Sequence, residues 1–327
     1  MSMLTKTTPK SLVPIAGLTI LERLINTLRE AGVTSFTVGV GWLGEDICKH
    51  LQGLSGSEGI VCANVPNYER GPLETLVCSL EETTADTFLV CPADFMVESK
   101  LVSDFIREHE KSEDERILSL AVDPKGKQGS VVVGGKNGAF VGFSVSSKSS
   151  KDDLGRSVML VAGGFDAKSL FKQTLQKGKT TVAEAITKMA TKSDAIVPVK
   201  VEGYWQDIDT LDDMLDTLPY AISNASPNMS LSIQSGDSIE VGDIISMPTG
   251  TVLNQGVKII GPVFIGRNSI ISEGAVIGPR ASLDENTHIP RECEIVNSIL
   301  FNNPLLQEGT QIRDAIVRAE EVIHGVK

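Results

Sequence analysis

The 327-residue sequence has no apolar run approaching the ~18 residues that a membrane span requires. Its opening residues, Met1-Ser-Met-Leu-Thr-Lys6, lack the apolar core of a secretory signal, so a cytoplasmic protein is expected. Basic charge is in deficit: 30 Lys and Arg stand against 42 Asp and Glu, for a formal net charge of -12. A surface that negative repels nucleic-acid phosphates and argues against a general DNA or RNA partner. It leaves room for a local basic pocket that takes a small phosphate ligand. Cysteine is sparse. The five residues (Cys48, Cys62, Cys78, Cys91, Cys293) are odd in number and widely spaced, with no C-x-x-C pair. That argues against structural zinc and a disulfide framework, and for reduced thiols. What is present is globular, 41% hydrophobic and 22% charged, and the length suits two domains.

The two halves have different periods. Up to about Asn224, helical and strand signals alternate. Thr19-Ile-Leu-Glu22 reads as a capping box ahead of Leu21, Leu24, Ile25 and Leu28 at helical spacing, with Gly32 as the stop. Strands are predicted at 35–40, 87–90, 117–122, 130–133, 139–145 and 195–201. Helices are predicted from Pro72 and over 100–109, 167–175 and 182–189. Such alternation predicts a mostly parallel sheet covered on both faces. Residues 223–228 are polar and turn-rich, as in a linker. Beyond them Met247, Leu253, Ile259, Ile265, Ile271, Ile277, Leu283, Ile289 and Ile295 recur every sixth residue. Four places after each stands a mostly small or β-branched residue, from Thr251 to Ile299. This repeat predicts a coil of short parallel strands, three hexads to a turn. The register is lost after Phe301, Ile312 is out of phase, and 315–327 reads as a tail.

Three segments of the first half carry a resemblance: Thr8-Pro-Lys-Ser-Leu-Val-Pro-Ile15, Phe88-Leu-Val-Cys-Pro-Ala-Asp94, and the stretch 201–212 with Trp205-Gln-Asp-Ile-Asp-Thr210 at its centre. In this order they resemble the T-P-K-x-L-[LV]-P-[IV], strand-plus-Asp and W-x-D-[IV]-[DG]-T segments of the sugar-1-phosphate nucleotidylyltransferases. Ala162-Gly-Gly-Phe165 echoes the A-G-[IV]-[YF] strand on their sugar side. The resemblance implies an α/β fold. A Rossmann-like, mostly parallel sheet would occupy 1–224, and a left-handed parallel β-helix with a short tail 225–327.

The implied reaction joins a nucleoside triphosphate to a sugar 1-phosphate and expels pyrophosphate. Its demands are positioning and charge neutralisation, and its cofactor would be Mg²⁺. Read from the residues alone, Asp94 is a turn residue after a strand or a carboxylate at the ligand end of an α/β sheet. Asp207 and Asp209 are helix-start carboxylates. The resemblance implies that Asp94 and Asp207 hold the metal and leaves Asp209 as a helix start. It implies that Lys10, otherwise a surface lysine between Pro9 and Pro14, is the catalytic contact to phosphate. Arg70 and Gly71 fall in the segment that meets the nucleotide, and are equally well read as a plain loop before the Leu73 helix. Gly163 and Gly164 are implied on the sugar side. Lys148 and Lys151, where E-[KR]-P is usual, read as solvated loop residues.

The family's opening strand and its A-G-G-x-G-[ST]-R loop have no counterpart here. Lacking the phosphate cradle and its arginine, this sequence is expected to catalyse poorly. It is also expected to leave two neighbouring strands without a partner. A non-catalytic regulatory or scaffold relative is the competing expectation. A third is acyl transfer on the β-helix at His288, which otherwise reads as an outward surface histidine. The faces and open end of such a coil suit a homo-oligomer.

Overall fold

The computed structural model describes residues 6–111, 118–135, 138–144, 152–190, 196–225, 240–241, 245–246 and 250–325. The chain divides into two compact units: Leu21–Asp207, and Met1–Ile20 together with Ile208–Lys327. It enters through a short hairpin, β1 (Pro14–Ile15) and β2 (Leu18–Thr19), which belongs to the second of these.

In the Leu21–Asp207 unit, α1 (Ile20–Glu30) buries Leu21, Leu24, Ile25 and Leu28. It ends where sequence places its stop. Gly32 has φ +101°, Val33 N–H donates to Leu28 O, and Gly32 N–H donates to Arg29 O. Those two bonds satisfy carbonyls that the last turn leaves open. Next come β3 (Phe36–Val40), α2 (Gly44–Gln52) and β4 (Ile60–Asn64), with β3 and β4 parallel, and then α3 (Pro72–Glu82) with Pro72 in its first turn. The remaining elements are β5 (Phe88–Val90), β6 (Phe95–Val97), α4 (Ser99–Glu110), β7 (Leu118–Asp123), β8 (Val131–Gly134), β9 (Phe140–Ser144), β10 (Asp153–Gly163), α5 (Phe165–Gln176), α6 (Val182–Ala190), β11 (Ile196–Lys200) and β12 (Trp205–Asp207).

The main sheet runs β11-β7-β10-β8-β9, with β5 also on β10. It is mixed. β7 and β11 are parallel, whereas β10 is antiparallel to β5, β7 and β8. The β8–β9 hairpin puts the long β10 into the sheet reversed, a feature the helix-strand alternation did not carry. Leu73, Leu76, Val77 and Leu80 of α3 pack with Leu118, Leu120, Phe171 and Ile186, and Phe88 and Val90 of β5 join them.

Among the described residues β3 is paired only with β4, and β5 only with β10. β3 rests on α3, and Phe88 and Val90 of β5 pack on the apolar cluster that α3 joins. Gly39 of β3 lies so close to it that a Cβ would come within 2.5 Å of Ser79 Oγ. Thr83 Oγ1, just past the end of α3, donates to Thr37 Oγ1 at 3.0 Å.

The other unit contains α7 (Leu211–Asp216), α8 (Leu218–Ser223), β13 (Glu240–Val241), β14 (Ile245–Ser246) and the coil proper. Its strands are β15 (Val252–Leu253), β16 (Lys258–Ile259), β17 (Val263–Ile265), β18 (Ile270–Ile271), β19 (Val276–Ile277), β20 (Ala281–Leu283), β21 (His288–Ile289), β22 (Glu294–Phe301), β23 (Gln311–Arg318) and β24 (Glu321–His324). Parallel partners such as Val252↔Ile270↔His288 and Lys258↔Val276↔Glu294 stand three hexads apart. The hexad residues from Leu253 to Ile295 are at most 2% exposed, and the smaller set from Thr251 to Ile299 is buried with them. Met247 lies outside the described residues.

Phase is lost for a local reason. β22 runs through a corner, pairing with β19 on an 18-residue step (Ile277↔Ile295) and with β20 on a 17-residue step (Leu283↔Leu300). One residue is dropped at Asn297, which adopts φ +44°. The following coil keeps the shorter step, so Ile312 pairs with Ile295 and is buried. Residues 315–325 are therefore mostly strand rather than tail: β23 continues the coil and β24 folds back on it antiparallel.

One outer face of the coil is covered within the unit. Phe264, Ser282, Ile299 and Ile316 point away from the interior yet are buried. Ala16 N–H donates to Ser282 Oγ at 2.9 Å, Gly17 sits on the Phe264 ring, and α8 packs on β20 and β1. Arg280 donates to Leu215 O at the end of α7.

Neighbouring isoleucines test this division into inside and outside. Ile271→Ala, which empties a fully buried position, should cost ~2–5 kcal/mol. Ile270→Ala, on the exposed face, should stay within about 0.5 kcal/mol of the parent. Thermal unfolding of the two variants checks this, and equal losses would contradict the coil register.

Candidate functional site

Two distant stretches meet in a short ladder. After β5 the chain turns through Cys91-Pro-Ala-Asp94 into β6, whose Phe95, Met96 and Val97 are all buried. That apolar triplet fixes β6, and β6 pairs antiparallel with β12 in the register Val97↔Trp205, Met96↔Gln206 and Phe95↔Asp207. Glu98 N–H extends the ladder by donating to Tyr204 O at 3.0 Å. Asp207 thus stands opposite the residue next to Asp94, and both aspartates are half-buried.

The ladder lies by the carboxyl ends of the main strands. β5 and β7 are both antiparallel to β10, so they point the same way and end on the same edge, at Val90 and Asp123. Ligands of open α/β sheets collect at such an edge. On this side the register of β10 slips between Ser157 and Val161, and Met159 within the slip has φ +64°. A bulge re-aims side chains, and a methionine in the left-handed region is costly unless its surroundings hold it there. Sequence patterning gave no sign of it.

Trp205 is the other residue that sequence reading passed over except as a motif letter. Its ring lies 6.3 Å from that of Phe95, and its indole N–H donates to Asp123 Oδ2 at 3.0 Å. Asp123 Oδ1 accepts from Lys125 N–H at 2.8 Å.

The expected site residues fall into separate groups. Asp94 and Asp207 lie in one unit, with Asp207 opposite Phe95, the residue after Asp94. Lys10 belongs to the other unit, on a single 3₁₀ turn (Lys10–Leu12), where its Nζ is 3.6 Å from the exposed Asp209 carboxylate. Asp209 does not cap α7. The capping box is made by Thr210 and Asp213. Arg70 lies 2.9 Å from the buried Glu74, one turn along α3. Gly71 has φ +112°, and a Cβ there would be 2.8 Å from Thr180 O, so backbone approach by itself demands glycine. Gly163 pairs with Phe88, at the opposite end of β5 from Asp94, and a Cβ on it would run into Leu118. Gly164 caps α5 beside it. Lys148 and Lys151 lie outside the described residues. His288 is exposed on the coil, with Nε2 3.2 Å from Ser272 Oγ. All five cysteines are free thiols. Among the described residues, no helix is long and apolar enough to cross a membrane.

The Cys91 thiol reports on the Asp94 charge. Burial, and then the Asp94 carboxylate, push it up to about 12. The folded state withholds this proton. The stability it contributes is whole below the ordinary thiol value of 9.0 and is lost as pH rises toward about 12. Asp94→Asn removes the second cause and should move the alkylation midpoint of Cys91, followed by mass spectrometry across pH, to lower pH. An unmoved midpoint would rule out the electrostatic contact.

A model of the MobA-like NTP transferase domain matches residues 3–139, and one of the GMPPB C-terminal domain matches residues 259–326. Similar proteins include the "Bifunctional protein GlmU" of Methanococcus vannielii, 26% identical over 327 residues that cover 97% of this chain and 74% of that one. The "Glucose-1-phosphate thymidylyltransferase" of Streptomyces griseus is 20% identical over 316 residues, covering 96% and 87%. The "Low-salt glycan biosynthesis nucleotidyltransferase Agl11" of Haloferax volcanii is 23% identical over 226 residues, covering 68% and 63%. The first part of the chain thus matches an NTP transferase domain and its end a GMPPB C-terminal domain, and distantly similar nucleotidyltransferases align along nearly its whole length.

Proposed function

We propose that Asp94 and Asp207 hold a Mg²⁺ ion for nucleotidyl transfer between a nucleoside triphosphate and a sugar 1-phosphate. The observation that carries this reading is the β6–β12 register, which sets Asp207 opposite Phe95 and so beside Asp94, next to the carboxyl ends of β5 and β7. The donor set fits the ion. Mg²⁺ takes hard oxygens, usually one or two carboxylates with substrate phosphates and water completing the shell. Among the described residues no group of three or more His, Cys, Asp or Glu side chains is arranged to hold a metal. In the reaction a phosphate oxygen of the sugar 1-phosphate bonds to the α-phosphorus. The bond from that phosphorus to the β-bridging oxygen breaks, and pyrophosphate leaves with the electron pair. The bound cation would screen the charge that gathers on the phosphates.

A second reading is that the chain binds ligand as a non-catalytic regulatory or scaffold relative of such enzymes. Self-association through the coil accompanies either reading.

Thermal shift with a panel of nucleoside triphosphates, with Mg²⁺ or with EDTA, tests the metal site. Ligand at ~100 times its Kd should stabilise by about 2.7 kcal/mol. Asp94→Asn and Asp207→Asn should each remove the Mg²⁺-dependent part of the shift and leave the ligand-free Tm within a few degrees of the parent. A shift that survives in both variants would remove the two aspartates from the site. Pyrophosphate release separates the two functions: turnover supports the enzyme, and binding without turnover supports the partner.

A further inference from the structure

We infer that the Trp205–Asp123 hydrogen bond sets the position of the Asp207 carboxylate, which makes Asp123 a positioning residue of the metal site. The inference rests on the reading of Asp94 and Asp207 as the metal pair. Asp207 ends a strand of three residues whose only ladder partner among the described residues is β6, itself three residues long. A two-stranded ladder of that size is a poor platform by itself. Side chains two apart on a strand share a face, so Trp205 and Asp207 point to the same side, with the buried Gln206 on the other.

The indole is held from several directions. Phe95, the partner of Asp207, offers its ring at 6.3 Å, tilted by 41°. Gly129 lies against the far edge of the indole. A Cβ there would be 3.3 Å from Trp205 Cη2 and 2.6 Å from Ser157 O, so any side chain would crowd the ring. The polar tie is the 3.0 Å bond from Nε1–H to Asp123 Oδ2. Asp123 closes β7, an interior strand hydrogen-bonded to β10 on one side and β11 on the other, and Lys125 N–H holds its second oxygen. That bond joins the small ladder to the rigid sheet. A partly buried indole N–H also needs an acceptor, so removing Asp123 both frees the ladder and leaves a donor unsatisfied.

Mn²⁺ binding to the full chain, followed by the EPR signal of the free ion, tests this. Trp205→Phe keeps a smaller aromatic ring and removes the donor, and should weaken Mn²⁺ binding ~10-fold, as loss of an outer partner to a metal ligand does. Asp123→Ala should weaken it as much, and the double variant no further, because both substitutions break one bond. Asp123→Asn keeps an acceptor and should stay within about threefold of the parent. The metal-free Tm of Trp205→Phe should change little, so that the loss appears in the increment Mn²⁺ adds to Tm. Parent-like binding in Trp205→Phe, or additive losses in the double variant, would overturn the positioning role and leave the metal pair standing. A parent chain that binds no Mn²⁺, or binds it equally well after Asp94→Asn, would overturn the metal pair and the positioning role with it. If Asp123→Ala does not fold, Trp205→Phe still decides the matter.

Discussion

The pairing of Phe95–Val97 with Trp205–Asp207 is the contact that brings the Asp94 and Asp207 segments of the chain together. It joins the turn after one strand of the main sheet to a segment far along the chain. A slip of one residue would turn Asp207 to the opposite face of its strand. The register is held less by its few hydrogen bonds than by what flanks them. Three consecutive buried side chains in β6 leave that strand no other seat, and the Trp205 ring leaves β12 none either. Burial of apolar surface thereby fixes the place of two carboxylates that are themselves only half-buried.

The same unit shows what incomplete pairing looks like in an otherwise well-packed sheet. α3 meets β3 through Thr75 and Ser79 and joins the apolar cluster that takes Phe88 and Val90 of β5, while among the described residues β3 pairs only with β4 and β5 only with β10. Helix packing does not substitute for a ladder, because it satisfies side-chain area and leaves backbone N–H and C=O groups to solvent.

The coil was the most legible part of the chain. A period of six admits one large apolar column, and every such residue from Leu253 to Ile295 lies inside. Its end was not legible, because dropping one residue at Asn297 leaves no mark in composition and yet shifts Ile312 back into the interior. In the α/β unit, α1, α3, α4, α5 and α6 were visible from apolar spacing. α2 was not, with little more than Ile47 and Leu51 to mark it, and neither was the reversed β10, whose direction depends on a hairpin before it rather than on its own residues. Asp94 and Asp207 could be singled out from motif order. That they are neighbours follows only from strand pairing. The glycines mislead in an instructive way: Gly71 and Gly163 each stand where a neighbouring backbone or side chain forbids a Cβ, a packing demand that reads in sequence like a ligand contact. Asp123 carried no sequence signal, since one aspartate after a strand looks like a turn.

β24 runs back along β23 against the direction of every earlier coil strand. A column of parallel strands is an open template, and another molecule stacked end to end could lengthen it without limit. Here the last rung on one side is turned the wrong way round. An incoming parallel strand would find its place on β23 already taken by β24.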